Sequence, residues 1–134
     1  MAEDRAQLAT LATVEFRRRQ ANARTKVAEG RIDRDTAERL VRAWAAMACR
    51  LGADIAELRP LIDGFTTIAG RPLTEAERRA QVAEDLCRYD AMIAVLVKAR
   101  DAAAAKAGPA DPAAAALQRL VDHFVPPLRE RTAA

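Results

Sequence analysis

Along most of the chain apolar residues recur every three or four positions, and short Gly-, Pro- and Asp-containing segments interrupt the pattern; that period belongs to helices, not strands. A first helix is predicted over residues 3–29, because nothing breaks it before Gly30, which stands where a C-cap is wanted. Asp33 then offers an N-cap to a second helix in which Ala37, Leu40, Val41, Trp44, Met47, Ala48 and Leu51 form one stripe. Joined by a short glycine-containing turn, the two helices read as an αα-hairpin over residues 1–52.

Beyond Gly52 the punctuation is denser. Leu58, Leu61, Ile62 and Phe65 predict a short third helix that Pro60 opens and that Gly64 and Gly70 weaken. Thr74 with Glu77 three residues later is a capping-box pattern, and no Gly or Pro follows before Gly108, so a fourth helix is predicted to run to about Ala107. Its stripe is Val82, Leu86, Tyr89, Ile93 and Leu96. Met92 and Val95 widen the stripe beyond half the circumference, which predicts a central helix or a self-association face made of Tyr89, Met92, Val95 and Leu96. The alanine-rich stretch 102–116 turns at Gly108, Pro109 and Pro112. A last helix carries Leu117, Leu120, Val121, Phe124 and Leu128 until Pro126-Pro127 disturbs it, with a frayed tail over 129–134. The expected fold is all-α: a single domain over 1–134 forming a bundle of four to five helices, with a basic first helix in the 1–52 hairpin and the remaining bundle helices in 53–128.

Composition supports the helical reading, since alanine and leucine dominate and aromatic and β-branched residues are sparse. Cys49 and Cys87 show no C-x-x-C spacing and no nearby histidine, so neither a disulfide framework nor a zinc site is indicated, and a reducing cytoplasm is the expected compartment. Glu3, Asp4 and Arg5 stand where a secretory signal would be apolar, and the strongest apolar run, 91–97, is far short of the ~20 residues a membrane-spanning helix needs. The formal charge is +3 and is unevenly spread. Residues 1–50 hold eleven basic and seven acidic side chains, and the remainder eleven and twelve.

Candidate chemistry is thin. His123 has Asp122 beside it, but adjacent helical residues point about 100° apart and do not form a catalytic pair; off the apolar stripe, His123 reads as solvated. Cys87 falls at the margin of its helix's apolar face and Cys49 on the polar side of the second helix, both as incidental thiols. Glu75, Glu77, Glu84 and Asp85 lack an E-x-x-H or D-x-D arrangement, and no glycine-rich phosphate loop is present. No catalytic residue, metal or cofactor is expected. One feature stands out: Arg17-Arg18-Arg19, Arg24 and Lys26, with no acid between Phe16 and Lys26, make a basic collar that Arg31 extends, while Phe16, Ala23 and Val27 face the core. Such a collar suits an acidic protein surface or, alternatively, nucleic-acid phosphates, although no aromatic residues interleave it.

The turn Val27-Ala28-Glu29-Gly30-Arg31-Ile32, following an arginine-rich helix and leading to Ala37, Val41 and Trp44, fits a V-x-x-G-[KR]-[ILM] pattern. Over residues 15–54 the chain thereby resembles a family of small prophage-encoded helical proteins. It departs from them at Ala23-Arg24, where the family has Tyr-Pro, and at Lys26, where it has Trp. The resemblance implies a phage-related setting without an assigned activity, and it carries over no functional residues. The functional expectation is a non-enzymatic accessory protein that binds a protein partner, such as a host defence complex, and forms a homodimer; the alternative is a nucleic-acid-binding accessory protein for phage replication, packaging or transcription.

Overall fold

The computed structural model describes residues 2–125; Leu128, Pro126-Pro127 and the tail 129–134 lie outside the described residues. The fold is all-α, with six helices among those residues. The chain divides into two compact units, 1–88 and 89–134.

In the first unit α1 (Ala2–Ala28) is a single rod of about 40 Å at 1.5 Å per residue. It ends in a Schellman motif: the Gly30 N–H donates to Val27 O and the Arg31 N–H to Lys26 O, with Gly30 at φ +73°. Asp33 caps α2 (Arg34–Arg50), its carboxylate accepting the Thr36 N–H at 2.7 Å. The other end of α2 repeats the first motif, with Gly52 N–H donating to Cys49 O and Ala53 N–H to Ala48 O. The ends of these two helices follow the glycines and the Asp because glycine takes the left-handed backbone of the C-terminal motif without strain and the Asp carboxylate accepts an orphaned N–H.

Packing within this unit centres on α2. It lies against α1 and against α4 (Glu75–Leu86), and residues 43–49 are all buried. The one-sided stripe expected for this helix is therefore corrected in its C-terminal half, where a helix with partners on two sides buries its whole circumference. Ala43, Ala45, Ala46 and Ala48 admit those neighbours closely. Cys49, placed on a polar face by the stripe, is fully buried for the same reason, whereas Leu40, at the other end, is 46 % exposed.

Between α2 and α4 the chain forms α3 (Arg59–Gly64) and a hairpin absent from the sequence expectation, β1 (Thr67–Ile68) and β2 (Arg71–Pro72), paired antiparallel. Its turn residues Ala69 and Gly70 both have positive φ, the backbone of a type I′ turn. Ala at the first of these positions gives no turn signal, so the hairpin is invisible to pattern reading. The capping box at Thr74 forms as expected: its hydroxyl accepts from the Glu77 N–H and the Glu77 carboxylate accepts from the Thr74 N–H.

The long fourth helix is two helices. Cys87 adopts extended backbone and α5 (Tyr89–Ala107) restarts after Arg88, so the described helices outnumber the four to five expected. The break falls at the boundary between the two units. Val82 and Ala83 belong to the core of the first unit, whereas Met92 and Leu96 are buried with the second. Without Gly or Pro at the break, nothing local announces it. In the second unit α5 packs on α6 (Pro112–Phe124), which Asp111 caps by accepting the Ala113 and Ala114 N–H groups. Tyr89 donates its hydroxyl to Phe124 O at 2.8 Å, and Arg100 donates to the Gln118 side chain.

One buried charge ties α4 to the end of α2. Arg79, only 7 % exposed, donates to Ala53 O (2.9 Å), Cys49 O (3.4 Å) and the Glu75 carboxylate (3.2 Å), while the Cys49 thiol donates back to Arg79 O (3.3 Å). Removing the buried donor takes a hydrogen bond from Ala53 O and leaves Cys49 O with the Gly52 N–H alone, so Arg79→Met should lower stability by about 1–3 kcal/mol, read from the urea midpoint. Arg71→Ala, which breaks the solvent-exposed pair with Glu77, should leave that midpoint nearly unchanged.

Candidate functional site

The basic collar is built on the α1–α2 hairpin, and the structure divides it into two groups. Arg17, Arg18 and Arg19 are engaged within the chain. Arg17 forms a bidentate pair with Glu57, which precedes α3, and its guanidinium lies 5.2 Å from the centre of the Phe16 ring. Arg18 donates to both oxygens of Glu15 at 3.0 Å. Arg19 reaches the same carboxylate at 3.3 Å and stacks over the Trp44 ring at 4.6 Å. Glu15, 6 % exposed, thus serves two arginines, each positioned one helical turn further on. The acid that neutralises much of the run stands one residue before Phe16, just outside the acid-free window that makes the collar conspicuous in sequence. Glu57 comes from a distant segment and carries no local signal.

Arg24, Lys26 and Arg31 form the second group. They make no ion pair among the described residues, and Arg24 and Arg31 are exposed. Arg24 borders a groove of about 680 Å³ between the C-terminal half of α1 and the N-terminal half of α2. Its floor is Ala23, Val27, Ala37, Val41 and Ala45, and Arg34, Arg42 and Glu38 join Arg24 around it. Arg34 makes no ion pair either; Arg42 has only an exposed contact with Glu38 at 3.7 Å. Phe16 and Ala23 dock on the core as expected, but Val27 is half-buried and lines the groove instead. Sequence reading missed Arg34 and Arg42 as companions of the collar. The available signal was the alanine at positions 23, 37 and 45, which leaves the inner faces of the hairpin too small to fill the space between them.

The remaining candidates sit elsewhere. Met92 and Leu96 of the expected self-association face are fully buried within the chain; Tyr89 is 40 % exposed and Val95 half-buried. His123 is exposed, with its ring edge against Phe124, and the neighbouring Asp122 accepts a hydrogen bond from Gln118. Burial pushes the Cys49 thiol pKa up, which keeps the thiol protonated and unreactive, and Cys87 closes α4. Glu75, Glu77 and Glu84 are paired with Arg59 and Arg79, with Arg71, and with Arg50. No group of three or more His, Cys, Asp or Glu side chains is gathered as a metal-ligand set among the described residues, and no described helix is long and apolar enough to cross a membrane.

No protein-family model, curated protein or solved structure matches the chain.

The Arg17 guanidinium holds the Glu57 carboxyl at about 2, well below its ordinary value of 4.5. Because the folded value is the lower one, the pair's contribution to stability is fully present above pH 4.5 and is lost as pH falls through about 2. Carbon-detected NMR titration should place the Glu57 midpoint near 2 in the wild type and return it toward 4.5 in Arg17→Gln; a wild-type midpoint near 4.5 would show that the pair does not form.

Proposed function

We propose that this chain is a non-enzymatic helical interaction protein that works by binding a protein partner through the α1–α2 hairpin. The observation that carries the reading is the coexistence, on one face, of an apolar-floored groove and two arginines, Arg24 and Arg34, that make no ion pair among the described residues. Groove and charge together suit a folded protein surface: interfaces bury an apolar centre inside a polar rim, and Arg is enriched in them. The resemblance of residues 15–54 to small prophage-encoded proteins supports a phage-related role, with a component of a host defence complex as the partner to be inhibited. Nucleic acid is the competing occupant of the same residues. Against it, Arg17, Arg18 and Arg19 are already paired with Glu57 and Glu15, and Glu38 stands among the groove's arginines, so the surface has mixed sign where phosphates favour a continuous positive stripe.

Photo-crosslinking in a bacterial host tests the reading. A benzophenone amino acid at Arg31 or Glu38 should trap a discrete protein adduct that resists nuclease, and Arg24→Glu/Arg34→Glu should abolish it. The same probe at exposed Lys98, in the second unit, should trap none. A nuclease-sensitive adduct, matched by a gel shift that disappears with salt, would favour the nucleic-acid reading instead. No adduct at either hairpin position would remove the protein-partner reading.

A further inference from the structure

Two other surfaces are weaker sources of inference. A second groove of about 610 Å³ between the N-terminal half of α1 and the end of α2 includes Arg5, but that guanidinium is already spent on Arg50 O and Leu51 O. The exposed Leu61 and Ile68 lie on α3 and on a hairpin whose strands are two residues each, too short an edge to template an added strand. The α1–α2 groove carries more, because its shape and its charge each narrow what can fill it.

Its floor residues, Ala23, Val27, Val41 and Ala45, are small or medium in size, so the chain supplies no bulky side chain of its own to the space. An occupant must bring large apolar groups. Along α1 the groove extends from Gln20 to Ala28, about 12 Å of helix, which is roughly two turns of a partner helix. That length admits apolar anchors at i, i+3 or i+4, and i+7, the spacing of an amphipathic helix laid in a groove. At the rim, Arg24 and Arg34 are exposed and have no acid of this chain to pair with among the described residues, whereas Glu38 is already opposite Arg42. A basic helix would leave those two arginines facing like charge.

We propose that the groove receives an acidic amphipathic helix of the protein partner, its large apolar side chains seated between α1 and α2 and its carboxylates paired with Arg24 and Arg34. The inference rests on the protein-partner reading and specifies the chemistry of that partner. A duplex offers no apolar surface for the floor, and a flat protein surface leaves the groove empty.

The test uses the full-length chain with methyl-labelled valines and helical peptides of about 15 residues, long enough to hold a helix when stapled. Three peptides share one leucine pattern and carry Glu, Gln or Lys at the flanking positions. The Glu peptide should shift the Val27 and Val41 methyl signals and bind about tenfold more tightly than the Gln peptide, the gain that two exposed ion pairs allow. In Arg24→Glu/Arg34→Glu, two surface changes that leave the core intact, the order should invert so that the Lys peptide binds best. Equal binding of all three peptides, or unmoved Val27 and Val41 signals, would overturn the proposal. So would shifts of those signals with protein concentration alone, which would assign the groove to a second copy, or with a short DNA duplex. A hairpin crosslink to a partner protein combined with silent valine methyls would sink the acidic-helix inference and leave the broader reading standing; loss of the crosslink itself sinks the broader reading.

Discussion

The buried guanidinium of Arg79 is the interaction on which the first unit depends. A helix that is surrounded at its C-terminal end must find donors there for carbonyls that can no longer reach water. The Schellman turn at Gly52 supplies them for Cys49 O and Ala48 O, and Arg79, arriving from α4, adds a second donor to Cys49 O and one to Ala53 O just beyond the helix. Its charge is balanced by Glu75, which also receives Arg59. The arginine therefore lets α2 end inside the unit and fastens α4 and the segment around α3 to that end. An apolar residue at position 79 would fill the space, take the Arg79 donor from Ala53 O and leave Cys49 O with the Gly52 N–H alone.

The consequence is a helix with two different halves. From Ala43 to Cys49 every residue is buried, held by α4 on one side and α1 on the other, with alanine at most positions so that the helices approach closely. Toward its N-terminus Leu40 is exposed and Val41 half-buried, and Ala37, with Ala45 at the inner end, lines an open groove against α1. The same small residue closes a gap where a third helix lies across it and leaves one where none does. Glu15, by holding Arg18 and Arg19 while Arg19 covers Trp44, fixes α1 at the border between the closed and open parts.

Much of this architecture is legible in residues whose effects are local. Gly30, Asp33, Thr74 and Glu77 act through backbone groups within a few positions of themselves, and each caps the helix end it was expected to cap. What escapes are effects set by distant partners. The break at Cys87 falls between Val82, buried in the first unit, and Met92, buried in the second, and neither Gly nor Pro stands at it. Cys49 is buried by α4, which no one-sided stripe on α2 can foresee. The hairpin at Ala69-Gly70 escapes because its first turn residue adopts a positive φ without being Gly or Asn. The basic collar was visible, but its partition was not: Glu57 lies forty positions from Arg17, and the groove that makes Arg24 and Arg34 neighbours is a property of the packed hairpin.

The central claim is that α2 is pinned at its C-terminal end and open at its N-terminal half, and amide hydrogen exchange along that one helix tests it most directly. Amides from Trp44 to Arg50 should exchange only through global unfolding of the unit, while those from Glu38 to Arg42 exchange faster through local opening, giving a step in protection near Ala43. Uniform protection along α2, or faster exchange at its C-terminal end, would contradict the account.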